Sequence, residues 1–165
     1  RVAGDDCRRI DAPNLPFIIG FDGGAGDTGE LVSGVRRLRE EYSFAADTVG
    51  SIGDIVRRGE SLLAGADPAA DPDPDLLAEL GRLMDFDHGL LEALGVSSRT
   101  LDNMVWAARE AGAHGAKLTG AGGGGCIVAL DETPETRTAL NYTAACHDAF
   151  RAELDRKGVM EADRQ

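Results

Sequence analysis

Residues 117–126 read Lys-Leu-Thr-Gly-Ala-Gly-Gly-Gly-Gly-Cys, and an apolar run, Cys126-Ile127-Val128-Ala129-Leu130, follows directly. Five glycines in six positions constrain the fold more than any other stretch of this chain. Glycine gives up the most backbone entropy on folding, so such a cluster is destabilising unless the backbone needs φ > 0 or close approach to a ligand. Serial N–H groups in such a loop can form a concavity that binds anions, phosphate above all. The P-loop pattern GxxxxGK[ST] is absent. Gly120, Gly122 and Gly125 satisfy GxGxxG, but that fingerprint must open a helix. Here a β-like run follows, which argues against a Rossmann turn. The plain alternative is a tight turn joining two strands.

Periodicity along the rest of the chain predicts several helices beside a few short strands. Residues 1–9 are compatible with a strand and turn. Residues 15–21 form a short, apolar, β-rich run, ending in a second glycine-rich turn, Asp22-Gly23-Gly24-Ala25-Gly26. Asp27 with Glu30 reads as a capping pair before an apolar periodicity at Leu31, Val35 and Leu38. A second helix is expected over 46–63, carried by Val49, Ile52, Ile55 and Val56. The proline-rich acidic stretch 67–75 is a surface loop. A third helix is expected over 76–93, with Leu77, Leu80, Leu83 and Met84 on one face and Gly95 as its stop. A fourth, over 98–111, has Leu101, Met104, Val105 and Ala108 on one stripe and Trp106 off it. Strand, glycine loop and strand follow over 117–130. Residues 135–157 read as mostly helical, with a closing edge strand at 159–161. This mixture predicts α+β rather than a doubly wound α/β fold.

Charge narrows the function classes. The formal net charge is −12 over 165 residues, which argues against nucleic acid or an anionic membrane as partner. Aspartate excess with only two lysines, Lys117 and Lys157, suggests a proteome adapted to high salt; an ordinary acidic protein from a GC-rich genome is the alternative. Three cysteines without a CxxC pair imply neither a disulfide framework nor a zinc site, and a reducing cytoplasm is the simple reading. No apolar run approaches the length that spans a bilayer. His88, His114 and His147 lack metal-ligand spacing, and each is expected as a surface or partly buried histidine rather than a ligand. Asp85 and Asp87 are expected as solvated helix-face carboxylates. No metal ligands are assigned.

The string from Gly115 to Cys126 resembles the third signature motif of the GHMP kinases, the family of galactokinase, homoserine kinase and mevalonate kinase. The ending Ala-Gly-Gly-Gly-Gly-Cys is most similar to the mevalonate kinase branch. Two further segments carry the same resemblance in the same order: Ile19-Gly20 through Asp27-Thr28 with Leu31-Val32, and residues 89–98 (Gly-Leu-Leu-Glu-Ala-Leu-Gly-Val-Ser-Ser) with Leu101-Asp102. Together they cover most of residues 15–130. The family's first motif has no counterpart here, nor has its second, a Pro-x-x-x-Gly-Leu-x-Ser-Ser loop for ATP phosphates.

The resemblance therefore implies a GHMP kinase C-terminal domain over residues 1–165, with the N-terminal nucleotide-binding domain absent. The implied fold is ferredoxin-like, an antiparallel sheet covered by helices. The implied activity is that of the complete enzyme: transfer of the γ-phosphate of ATP, with Mg2+, to the primary alcohol of mevalonate. Its partners would be the N-terminal kinase domain and mevalonate, and a homodimer is compatible with the sequence. Phosphoryl transfer needs positioning and charge neutralisation more than covalent chemistry by the protein. Gly120, Ala121, Gly122, Gly123, Gly124 and Gly125 are the expected substrate- and phosphate-binding loop, with amides of residues 122–125 as donors. Thr28 matches a threonine that the family places near the substrate, at a helix start that favours anions; its alternative is a plain helix cap. Lys117 reads equally as a cation holding the loop or an anion and as a strand-end lysine. Thr119 reads as bonding a backbone group in the loop or a substrate oxygen, with the structural role favoured. No catalytic residue is assigned within the chain. The alternatives are another small-molecule kinase of the family and a non-catalytic ferredoxin-like metabolite-binding module.

Overall fold

The computed structural model describes residues 2–3, 6–7, 10–131 and 133–154. Two short strands, β1 (Val2–Ala3) and β2 (Asp6–Cys7), pair antiparallel. The body follows: β3 (Phe17–Phe21), α1 (Thr28–Glu41), α2 (Ser43–Gly65), α3 (Pro74–Ala93), α4 (Arg99–Glu110), β4 (Gly115–Thr119), β5 (Cys126–Leu130), α5 (Pro134–Tyr142) and β6 (Asp148–Ala152). The four longer strands form one sheet in the order β4-β5-β3-β6, antiparallel at every pairing. With the helices counted as two connections, this is the βαββαβ ferredoxin-like arrangement.

Strand parity decides which face is core. Ile18, Ala116, Leu118, Ile127, Ala129 and Ala149 alternate with residues of the other face and point to one side, as the two-residue period of a pleated strand requires. That side is covered by α4 and α5. The stripe Leu101, Met104, Val105 and Ala108 is buried in full, and Leu140 joins it from α5. Trp106, off the stripe, is exposed. A smaller cluster, Leu15, Leu80 and Leu130 with Phe17, Leu62, Leu63, Leu76, Leu77 and Met84, joins α2 and α3 to the sheet. Helix α3 meets β4 with almost no separation. A Cβ on Gly81 would overlap the backbone of His114, and one on Gly115 would overlap Gly81.

The helix boundaries follow local chemistry. Asp27 caps α1, its carboxylate accepting from the Glu30 amide at 3.0 Å. Asp73 caps α3 ahead of a proline in the first turn, and Ser98 caps α4. Gly95 and Gly112, both at positive φ, follow the ends of α3 and α4, as a left-handed stop requires.

The C-terminal expectation fails. Residues 135–157 are not one helix: α5 ends at Tyr142, and Thr143 adopts an extended conformation. Residues 148–152 then form β6 beside β3. The Ala- and Arg-rich composition favours helix locally, but the free edge of β3 offers a five-residue ladder, and sheet context overrides weak propensity. The edge strand expected at 159–161 lies outside the described residues.

Candidate functional site

The glycine loop between β4 and β5 does not stand alone. It packs against the turn after β3, and one carboxylate fastens the two. Asp22 Oδ1 accepts from the Gly24 amide at 2.7 Å and from the Gly125 amide at 2.9 Å. The Asp22 amide donates to the Gly125 carbonyl at 2.9 Å. At Gly26 the two backbones touch so closely that a Cβ would overlap the Gly122 carbonyl. The far side of the loop rests on the α3–α4 connection. The Gly123 amide donates to the Val96 carbonyl at 2.8 Å, and a Cβ on Gly122 would land on that same oxygen. Gly120, Gly122, Gly123, Gly124 and Gly125 all have positive φ.

This arrangement sorts the expected donors. The amides of Gly123 and Gly125 hold the loop in shape. Those of Gly122 and Gly124 meet no acceptor among the described residues. Ala121 lines a cavity of about 370 Å³ with Leu31, Val35, Val96 and two guanidinium groups, Arg36 and Arg39. Thr28 is the first residue of α1, exposed and two residues beyond the Gly26 contact. The structure thus brings together the two glycine turns and the start of α1. Thr119 is exposed at the base of the hairpin.

The acidic residues of α3 behave differently from expectation, and Lys117 joins them. Lys117 Nζ pairs with Asp87 Oδ2 at 3.1 Å and donates to the Leu118 carbonyl at 3.0 Å. Asp87 is buried, not solvated. Asp85 Oδ1 accepts from the Ala116 amide at 3.0 Å and pairs with Arg109 Nε at 2.7 Å. Arg109 in turn donates to the Ala116 carbonyl at 2.8 Å. His88, expected as a surface or partly buried histidine, is buried further than that, at 3% exposed. Its Nδ1 accepts from the Leu118 amide at 3.3 Å, and its Nε2 lies 3.4 Å from Asp102 Oδ1. Burial, and then Arg109, lower its pKa below the ordinary histidine value, against the pull of Asp102 and Glu92.

These contacts share a cause. β4 is one of the two outer strands of the sheet, and its outward N–H and C=O groups have no strand to bond. Unpaired edges invite association, and buried backbone groups without partners are costly. Side chains of α3, α4 and β4 itself take the strand's place. Sequence reading missed this network because the spacing Asp85-x-Asp87-His88 resembles a solvated face. The signal that could have found it is Gly81, which lets helix and strand touch.

Cys126, at the far end of the loop, has its thiol pKa raised by burial and by nearby Asp22. Among the described residues, no group of three or more His, Cys, Asp or Glu is arranged to hold a metal ion. No described helix is long and apolar enough to cross a membrane.

Known proteins match this chain in both sequence and shape. The family model for the C-terminal region of GHMP kinases matches residues 74–142. A mevalonate kinase of Pyrococcus abyssi is 46% identical over 146 residues, covering 88% of this chain and 42% of the relative. One of Thermococcus gammatolerans is 41% identical over 147 residues, with the same two coverages. Among solved structures, L. major mevalonate kinase in complex with R-mevalonate superposes with a TM-score of 0.77 at 25% identity, over 89% of this chain and 44% of that one. Methanococcus jannaschii mevalonate kinase superposes at 0.64, also at 25% identity, over 86% and 40%. The chain therefore spans less than half the length of the relatives it matches. Motif, fold and relatives agree: the chain carries a GHMP kinase C-terminal domain.

Proposed function

We propose that this chain is the acceptor-side lobe of an ATP-dependent mevalonate kinase. The observation that carries the reading is the pair of glycine turns clamped by Asp22, with the Gly122 and Gly124 amides meeting no acceptor among the described residues and Ala121 of the same loop lining a cavity. The relatives' names supply the acceptor.

On this reading, MgATP supplies the phosphoryl group, and it is held mostly by the N-terminal domain. The lobe described here orients the acceptor. The Gly122 and Gly124 amides are the donors nearest the reacting oxygens, where fixed dipoles act without reorganising. Glycine is required there because side chains would displace the ligand. The cavity lined by Leu31, Val35 and Val96 excludes water from a small branched chain, and Arg36 and Arg39 suit its carboxylate. Thr28, at the mouth of α1, is a hydroxyl contact for the acceptor. Gly123, Gly125 and Lys117 keep the cradle in shape, and Thr119 supports the hairpin base. On the same reading, the general base and metal ligands come from the N-terminal domain. The acid excess fits a cytoplasm of high salt.

The test joins this chain, as a fusion, to the N-terminal half of the Pyrococcus abyssi relative and follows ADP release with mevalonate. Mevalonate-dependent turnover by the fusion, with none from the isolated chain, is the expected result. Turnover with galactose or phosphomevalonate but not mevalonate would move the chain to another kinase of the family. Tight mevalonate binding without turnover in any assembled form would favour a binding module.

A further inference from the structure

The reading above has no use for His88, the buried histidine of α3. Its two ring nitrogens face two different parts of the loop's support. On one side the Leu118 amide donates to Nδ1, and Leu118 lies two residues before Gly120 in the strand that enters the loop. That bond requires an unprotonated Nδ1, so the neutral ring carries its proton on Nε2. On the other side Nε2 faces Asp102 Oδ1. The same carboxylate oxygen accepts from the Ser97 hydroxyl. Ser97 adjoins Val96, whose carbonyl receives the Gly123 amide and forms the floor beneath Gly122.

We propose that His88 is a positioning residue for the glycine loop. One arm fixes the entering strand through Leu118. The other fixes the floor of the loop through Asp102, Ser97 and Val96. The link is a chain of polar contacts inside the fold, hydrogen bonds at Leu118, Ser97 and Val96 and a 3.4 Å approach of Nε2 to Asp102 Oδ1, where each contact is stronger than in water and an unmet partner is costly. The neutral Nε2–H tautomer serves both arms. A proton on Nδ1 would set two donors against each other at Leu118. The charged groups around the ring are Asp102 and Arg109 from α4, Glu92 from α3 and Lys117 from β4. The significance for catalysis rests on the kinase reading, but the geometry can be tested without it.

The experiment is amide hydrogen exchange by NMR on this chain, with ring nitrogen shifts recorded on the same sample. The wild type should show the Nε2–H tautomer. In His88→Leu, protection at Gly123 and at Leu118 should each fall about tenfold, the scale of one lost hydrogen bond, while the β3–β5 ladder keeps its protection. His88→Asn keeps an acceptor near the Nδ1 position and should restore Leu118 alone. His88→Gln keeps a donor near the Nε2 position and should restore Gly123 alone. Ser97→Ala cuts only the second arm, so Gly123 should loosen while Leu118 stays protected. This last variant retains the histidine and decides the matter if His88→Leu does not fold. Unchanged Gly123 exchange in folded Ser97→Ala, or an Nδ1–H tautomer in the wild type, would overturn the proposal. Neither result would touch the kinase reading, because no substrate enters the measurement. Conversely, a fusion inactive on mevalonate with these exchange patterns intact would fail that reading and leave His88 in place.

Discussion

The outer edge of β4 and the loop that follows it both present backbone without a neighbouring strand, and they are satisfied in opposite ways. Along the edge every outward group meets a side chain: Asp85 and Arg109 at Ala116, His88 and Lys117 at Leu118. In the loop the partners are another turn's backbone, the Val96 carbonyl and the one carboxylate of Asp22. The edge is closed completely, and the loop is closed only in part. An edge strand must be sealed against other chains. A ligand cradle must be held rigidly and still keep donors for its ligand.

The comparison breaks most severely where helix and strand touch. Gly81→Ala places a methyl group against the backbone of His114 and Gly115. Neither segment can retreat without breaking the β4–β5 ladder or lifting α3. Overpacking of this kind is expected to destabilise the chain by about 3 kcal/mol, read by chemical denaturation. The edge bonds at Ala116 and Leu118 should lose amide protection first. A loss under about 0.5 kcal/mol would mean that α3 does not seal the edge.

The next largest effect separates the two regions by kind. Gly124 has φ +149°, and a Cβ there would lie 3.4 Å from Asp22 Oδ2. Alanine is strained but has room, so stability should fall by about 1 kcal/mol. If the Gly124 amide faces the reacting groups, a displaced ligand costs ~100-fold in rate. Activity of the fusion enzyme, normalised to folded fraction, checks both. Gly123→Ala should behave similarly, since its methyl overlaps only the flexible end of Leu31, at 2.9 Å, and meets the Gly26 Cα in ordinary contact at 3.5 Å. Normal specific activity in the destabilised variants would make the loop a mere strand connector.

Legibility in the sequence divided along the same line. The four-residue stripe of α4, the cap at Asp27 and the glycine stops were readable because each is a local pattern with a local cause. So was the loop itself, because so dense a glycine cluster has few reasons to exist. The roles of Gly123 and Gly125 as fasteners were not readable, since their partners, Val96 and Asp22, come from distant segments. Asp85 and Asp87 were misread, and the depth of His88 was missed, for the same reason: a polar helix face looks solvated until another element is placed against it. β6 was lost to helix composition because its conformation is set by the edge of β3.

Salt should sharpen the contrast more gently. At net charge −12, repulsion among surface carboxylates opposes the compact state, and added ions screen it. Melting temperature is therefore expected to rise by a few degrees between low and molar KCl, roughly 1 kcal/mol on the usual scale for this size. The edge pairs Asp87–Lys117 and Asp85–Arg109 are partly buried and should lose little to screening. A melting temperature that is unchanged or lower in molar KCl would remove the high-salt reading.

The smallest effect is expected from pH, and it should fall on one region only. The edge depends on a titratable acceptor, His88, whereas Gly123 is held by a carbonyl that does not titrate. Burial is the main cause that lowers the folded pKa of His88. In the unfolded chain a histidine takes its proton near 6.5. Between the folded value and about 6.5 the unfolded state binds more protons, so stability rises with pH across that interval. The contribution is complete above about 6.5 and is lost as pH falls below it through the folded pKa. Denaturation at pH 7.5 and 5.5, compared between wild type and His88→Gln, isolates this group, because the other histidines and the carboxylates are common to both. The wild type should lose more stability on acidification than the variant, with protection at Leu118 falling ahead of that at Gly125. Equal losses in the two proteins would show that the edge is held by Asp85, Arg109 and Lys117, with the imidazole a spectator.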